Sequence, residues 1–577
     1  MRYKLMSNLN TEKPTIEEIF QSHGLDMNKF LNVNEEVLIS PFALSNIEEG
    51  IKCLVTHLER ESKICLIVDS DTDGYTSAAI FYQYVKRLYP KANIVVATHT
   101  GKQHGIIMDA IEEDTGLVVV PDASSGEYEK HSELKARGID VLVIDHHEAP
   151  ELSKDAIVIN NQLSPAYPNK AFSGAGVTYK FCKALDMVFN VDYADDYIDL
   201  VALGLVADMM NTTSLETRYY IKEGLKNIQN EFFMALLQKQ AYSISNITTP
   251  TITDISFYIA PLINAIVRAG SPEERELMFW AFVDGGRIVP STKRGARGET
   301  ESLATQMARN CVNARARQNR KKDKLLEKVI AKIEEEKLYN NKIMVVTFEE
   351  NELDEEDKNL TGLLAMQLLN IYKRPALFLH KSGDCYKGSG RGSDKFELTD
   401  LRQFLEDSEM FEYVAGHSNA FGVSIKEDEL NNFIESANRQ LAETDFSDGI
   451  YEVSYISTID TLDPNIIFNI ADLAHVWGFG IEEPLLAITD ITLNKADISF
   501  IGSKKDTVKF SREDITFIKF KDQEMVDHIN SIDAEKVVFE VVGRANLNEW
   551  NGSVTPQIII VDYNLKPVES GLRWEDF

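Results

Sequence analysis

The sequence predicts an α/β protein of several modules. A domain built on a parallel sheet is joined by a long helix to a smaller α/β domain, and a β-rich module follows. Three observations carry this reading. Short apolar strands alternate with helical stretches from Lys63 to about Leu225, a polar run without Pro or Gly spans about Ser302 to Glu336, and short β-rich runs dominate after about Ser447. At 577 residues the chain exceeds what one hydrophobic core normally supports, so about three or four folded units are expected.

Residues 1–50 show no pattern that assigns them a role. ICLIV then reads as a strand ending at Asp69, and YTSAAIFYQYVKRLY as the helix after it. ANIVVAT, GLVVV before Asp122, DVLVI before Asp145, and AIVIN supply further strands. Strand and helix in alternation imply a parallel sheet covered on both faces. The second α/β unit begins near KIMVVTF, passes through the acidic loop EENELDEEDKN, and continues with the helix GLLAMQLLNIY and the strand PALFLH. EPLLAITDITL, DISFIGS, VVFEVVG and PQIIIVD make the last module read as all-β.

Composition is that of a soluble globular protein, with 44% hydrophobic and 26% charged residues. There is no uninterrupted apolar run of about 18 residues, and MRYKLMSNLNTEK lacks the apolar stretch of a secretory signal. Five scattered cysteines without a CxxC pair fit free thiols in a reducing cytoplasm and argue against cysteine-held zinc. The net charge of −31 opposes phosphate binding at long range. Charge is unevenly placed, however: Lys293 to Lys324 contains ten Lys/Arg against three acids. Within a Debye length of roughly 8 Å, such a patch outweighs the distant total.

The main chemical signal is acidic. Asp69, Asp122 and Asp145 each end an apolar strand, and ligands of parallel α/β sheets bind beyond the carboxyl ends of the strands. Asp71 and Asp73 extend the first group as DSDTDG, and His146 and His147 follow Asp145. Clustered carboxylates repel one another unless cations sit among them. Oxygen ligands with one or two imidazoles suit Mn²⁺ or Mg²⁺. An aspartate shared by two cations about 3.5–4 Å apart is the arrangement used for phosphoester hydrolysis. DSDTDG also opens like a calcium-binding EF-hand loop, but Ile80 stands where that loop needs a glutamate, and a strand rather than a helix precedes it. A single strand-end aspartate is as often a helix cap; three of them with an Asp-His-His triplet are not explained that way.

These residues resemble the DHH phosphoesterase superfamily, and within it the RecJ-type nucleases, from about Lys63 to Tyr563. VDSDTDGYTSA is similar to the first motif, VVPDASS to the second, VIDHHE to the third, and DLVALGLVADMM, after SGAGVTYKF, to the fourth. The resemblance implies metal ligation by Asp69, Asp71, Asp73, Asp122, His146 and Asp208, with Asp122 as the bridge and Asp69 fitting an outer role equally well. It also implies that Asp145 supports the site and that His147 meets the scissile phosphate. IAPLINAIVRAGSP resembles a segment near the DNA path, making Asn264 and Arg268 binding candidates. NARARQNRKK, with Arg315, resembles the linking helix.

YKGSGRGSDKFELTDLRQFLE and VAGHSNAFGVSI resemble the second lobe, DHHA1, in which Ser389, Arg391 and His417 would bind phosphate or the strand end. The family commonly has GGH, two small residues and a glycine. This chain has AGHSNAFG, so Ala415 and Phe421 are expected to narrow or reshape that pocket. WGFGIEEPLLAI and LNEWNGSVTPQIIIVDY resemble an OB-type module, in which Arg544 and Trp550 are possible contacts. The implied division is an N-terminal extension (1–50), a DHH catalytic domain (51–270), a helical connector (271–340), a DHHA1 domain (341–446) and an OB-like domain (447–577).

The function implied by the resemblance is a 5′-to-3′ exonuclease that releases 5′-mononucleotides from single-stranded DNA in repair and recombination. It would be a cytoplasmic monomer using two divalent cations, Mn²⁺ or Mg²⁺, with a single-strand-binding protein or a helicase as candidate partner and no membrane attachment. The alternatives are an oligoribonucleotide or cyclic-dinucleotide phosphodiesterase, a catalytically inactive replication scaffold, and a polyphosphatase or pyrophosphatase. The basic helix and OB-like tail speak for a long strand, and the full set of expected ligands speaks against a scaffold.

Overall fold

Among the described residues between Lys63 and Asn160 the computed structural model contains five strands, all parallel. Their order is Ile94–Thr98, Lys63–Val68, Thr115–Pro121, Asp140–Asp145 and Ile157–Asn160. Side-chain alternation sorts these strands into two cores. Ile64, Leu66, Val68, Leu117, Val119, Leu142 and Ile144 pack on one side. Cys65, Ile67, Val118, Val120, Val141 and Val143 pack on the other. With both faces buried, the strands read in the sequence as unbroken apolar runs. Strand order reverses between Lys63–Val68 and Thr115–Pro121, which opens the crevice at their carboxyl ends where such sheets bind ligands.

The structure describes residues 1–101, 103–244, 246–446, 450–550 and 552–568. They form two compact bodies. One comprises Asn28–Arg320 with His475–Ile481, and the other Met1–Met27, Lys321–Ala474 and Glu482–Phe577. The polar run is one helix, Leu303–Glu336, whose residues divide between the bodies at Arg320. Ile252–Ala269 is long and apolar enough to cross a membrane, but 56% of it is buried within the fold, as in a core helix.

Among its described residues the second body holds two large sheets and a two-stranded one. The first has the order Phe411–His417, Ala420–Lys426, Cys385–Arg391, Ala376–Ser382, Met344–Phe348, and only its last pair is parallel. The other has seven strands, including the long hairpin Lys536–Trp550 and Ser553–Pro567. The all-β expectation for the C-terminal module needs correction, because helices Pro464–Asp472 and Gln523–Ser531 belong to it. Their polar exposed faces hid them: only Ile466, Ile467 and Ile470, and Met525, Val526 and Ile529, are buried. The N-terminal residues also have a place, since Arg2–Leu5 pairs in parallel with Ile450–Val453.

Candidate metal centre

Four side chains from distant segments converge at the crevice. Asp73 lies in the first turn of helix Thr72–Leu88, Asp122 follows strand Thr115–Pro121, His146 follows strand Asp140–Asp145, and Asp208 caps helix Ile198–Ala207. His146 Nε2 is 3.2 Å from Asp122, 3.4 Å from Asp208 and 4.0 Å from Asp73. Asp122 and Ser124 have positive φ values of 68° and 81°. Such backbone costs on the order of 1–3 kcal/mol in a residue other than glycine and is typically held in place at functional sites.

The surroundings orient each group. Asp73 accepts from Ser173 Oγ (2.8 Å), Gly174 N (2.6 Å) and Ala175 N (3.2 Å) at the start of helix Gly174–Phe189. Asp71 caps its own helix by accepting from Gly74 N at 2.9 Å. Asp145 Oδ1 accepts from the His146 and His147 amides (2.7 and 3.2 Å) and from His147 Nδ1 (2.8 Å), while Oδ2 accepts from Ser125 N (3.0 Å). Asp145 therefore positions the histidines. Asp69 is similarly occupied, taking Gly105 N on Oδ1 at 3.0 Å and His104 Nδ1 on Oδ2 at 2.5 Å.

The electrostatics show a site built for positive charge. Burial, then Asp73 and Asp71, push Asp208 up to about 8. Burial and the neighbouring carboxylates also raise Asp122 and Asp73, although His146 partly offsets the effect at Asp73. Burial lowers His146. Burial would lower His147 too, but its bond to Asp145 prevails and lifts it to about 9. Asp145 moves the opposite way: burial opposes its charge, yet His147 holds it well below the usual carboxylate range. Asp122 Oδ1 and His146 Nε2 are buried without a hydrogen bond. A carboxylate oxygen and an imidazole nitrogen that face each other without a hydrogen bond, with Asp73 and Asp208 beside them, fit a divalent cation.

A pH dependence follows. Asp208 and His147 hold protons in the folded protein that the unfolded chain has already released at pH 7–8, so metal-free stability is lost as pH rises through 8 and 9. His146 works in the opposite direction, but only up to its unfolded value near 6.5. Thermal unfolding in EDTA should therefore shift to lower temperature between pH 7 and 9. Mn²⁺ should raise the midpoint more at pH 8 than at pH 6.5, and the pH 7–9 loss should shrink in Asp208→Asn while the part carried by His147 remains.

The remaining candidates fall into three groups. Asn264 Oδ1 accepts from Thr72 Oγ1 at 2.9 Å, beside Asp71. Burial, and then the charge of Arg315, lower the pKa of Arg268, which also feels Asp71. Arg315 donates to Gln318 at 2.8 Å. The rest of the basic helix is largely paired: Arg309 with Glu301, Arg317 with Glu274, and Lys321 with Asp354.

In the second body Ser389 and Arg391 face the start of helix Thr361–Tyr372. Thr361 Oγ1 lies 2.9 Å from Ser389 Oγ, and a Cβ on Gly362 would sit 2.6 Å from Arg391 Nη2. His417 shares their row, since Ala420 pairs with both His417 and Arg391. The expectation that Phe421 narrows this pocket is corrected. Its ring lies against Gly390, whose missing Cβ points to the opposite face, and it fills the core there. The Trp550 side chain lies outside the described residues, and Arg544 Nε is 3.8 Å from Glu483.

Sequence reasoning missed Ser125, Ser173, His99 and His104. His99 is buried with Nε2 3.9 Å from Asp69. The signal was available for the histidines: HTGKQHG directly follows strand Ile94–Thr98 and so opens at the same rim.

Comparison with known proteins agrees with this architecture. Residues 63–205 match the DHH family, N-terminal domain, and residues 456–562 match the RecJ OB domain. The chain is 39% identical, over 99% of both chains, to the putative SPbeta prophage-derived single-strand DNA-specific exonuclease YorK of Bacillus subtilis (strain 168). It is 22% identical to the single-stranded-DNA-specific exonuclease RecJ of the same organism, over 98% of this chain and 70% of that protein. The crystal structure of RecJ in complex with Mn²⁺ from Thermus thermophilus shares the fold, with a TM-score of 0.71 at 20% identity over 96% of this chain and 76% of that one. Through its full-length likeness to these proteins, the chain belongs to the RecJ-type family of DHH proteins.

Proposed function

We propose that this protein is a metal-dependent exonuclease that digests single-stranded DNA from the 5′ end to 5′-mononucleotides, in repair and recombination. The observation that carries the proposal is that His146 Nε2 lies within 4.0 Å of Asp73, Asp122 and Asp208 alike, in a chain that matches named single-strand DNA exonucleases along its whole length. Two divalent cations, Mn²⁺ or Mg²⁺, held by Asp71, Asp73, Asp122, His146 and Asp208, with Asp69 at the edge, would supply Lewis acidity for hydrolysis.

The protein's own groups do the rest. Asp145 fixes the His147 ring so that it meets the scissile phosphate, and its hydrogen bond to Nδ1 favours the protonated ring that donates to that phosphate. Asn264, Arg268 and Arg315 bind the backbone of the strand. Ser389, Arg391 and His417 bind its phosphorylated end, a role supported by the cation and hydroxyls grouped at a helix start. The working division of the chain is an extension (1–50), a catalytic domain (51–270), a connector (271–340), a DHHA1 domain (341–446) and an OB-like domain (447–577).

The test uses Mn²⁺ and strands labelled at either end, with and without a 5′ phosphate. A 5′-labelled strand should release labelled mononucleotide first, and a blunt duplex should be cut much more slowly. Label lost first from the 3′ end would overturn the polarity. Faster cleavage of a dinucleotide than of a long strand would favour a small-substrate phosphodiesterase.

A further inference from the structure

Two buried aspartates at this site each hold a histidine by its Nδ1, and only one of these pairs lies in the Asp-His-His triplet. Asp145 holds His147 at 2.8 Å, and Asp69 holds His104 at 2.5 Å. The two pairs are built alike. Asp145 and Asp69 are 0% and 1% exposed, their histidines 57% and 50%. In each, a backbone amide fills the carboxylate's other oxygen: Ser125 N at 3.0 Å and Gly105 N at 3.0 Å.

Topology sets the pairs on opposite sides of Asp122. Asp69 ends the strand on one flank of Thr115–Pro121 and Asp145 ends the strand on the other. Two strand spacings separate the flanks by about 9.5 Å. That span suits a phosphodiester and its neighbouring sugar lying across the carboxylate cluster. A histidine that served only to neutralise Asp69 could be buried with it, as His99 is nearby. His104 instead presents half its ring at the rim, next to Asp71.

We propose that His104, as an imidazolium whose Nδ1 donates to Asp69, contacts the scissile phosphodiester from the side opposite His147 and donates from Nε2 to one non-bridging oxygen. The inference rests on the nuclease reading above. The loop that carries His104 therefore belongs to the substrate site, and His104 is a catalytic residue rather than a support for Asp69.

The rival roles are to hold Asp69 or to ligate a cation, since Asp69, Asp71 and His104 have donor atoms within 4.8 Å of one another. His104→Asn separates them. The amide nitrogen of asparagine can replace Nδ1 towards Asp69 but cannot reach as the far edge of the ring does. The substrates are 5′-phosphorylated single strands with an all-oxygen, an Rp or an Sp phosphorothioate terminal linkage, assayed in Mn²⁺. His104→Asn should lower kcat/KM on the all-oxygen strand by about tenfold to a hundredfold. It should also erase the extra penalty that one diastereomer shows in the native enzyme, while calorimetric Mn²⁺ affinity stays within about twofold. Native kcat/KM in His104→Asn would reduce His104 to a support for Asp69, and weakened Mn²⁺ binding would make it a ligand; either overturns the proposal. If the native enzyme cuts no strand at all, it is the nuclease reading that fails.

Discussion

Asp122→Asn is expected to lower metal-dependent strand cleavage by about a thousandfold or more without unfolding the protein. If Asp122 holds both cations as proposed, its loss removes several kcal/mol of transition-state stabilisation, which corresponds to that factor. Asparagine is the substitution of choice because residue 122 has φ 68°, which Asn and Asp tolerate far better than alanine does. Asp122→Ala would add backbone strain to the loss of charge, so a drop in activity would be harder to read. The buried Asp122 carboxyl is raised by burial and by four neighbouring aspartates, which makes its charge a liability in the metal-free protein. The Asn variant should therefore unfold in EDTA at the native temperature or above, lose most of the stabilisation that Mn²⁺ confers, and bind Mn²⁺ more weakly by calorimetry. Native turnover in Asp122→Asn would remove the metal centre from the mechanism.

The parts of this site that were legible from sequence are those whose position follows from strand periodicity. ICLIV, VVVP and VLVI can end only at the carboxyl rim of a parallel sheet, so Asp69, Asp122 and Asp145 had to share an edge. Asp208 was different. It caps a helix whose ten residues are nearly all apolar, and only its likeness to a family motif singled it out. His104 and Ser173 are placed by loop and helix-start geometry that no local pattern encodes. The basic helix shows a related limit. Its Arg and Lys residues are conspicuous in the sequence, but the acids that pair with several of them, Glu274 and Asp354 among them, come from elsewhere in the chain. Arg2–Leu5 was unreadable because four residues of mixed polarity acquire a strand's role only from Ile450–Val453.

Gly204→Ala should damage both stability and activity, although residue 204 carries no chemistry. Helix Ile198–Ala207 packs on helices Thr72–Leu88 and Gly174–Phe189, and it brings Asp208 to the site. A Cβ at residue 204 would collide with Asp73 Oδ1 and lie 2.6 Å from Ala175 Cβ and 2.8 Å from Thr76 Oγ1. Crowding of a close-packed interior costs about 1–3 kcal/mol. A shift of about 1 Å in a reacting group costs on the order of a hundredfold in rate, and here both Asp73 and Asp208 are displaced. The expected result is a lower unfolding midpoint, turnover reduced about a hundredfold, and weaker Mn²⁺ binding. The double variant Gly204→Ala/Ala175→Gly separates the two effects. It removes the helix–helix clash with Ala175 but leaves the added methyl against the Asp73 carboxylate. Stability should return in part while turnover stays low. If turnover recovered together with stability, close helix packing alone would explain the glycine, and its tie to Asp73 would be lost.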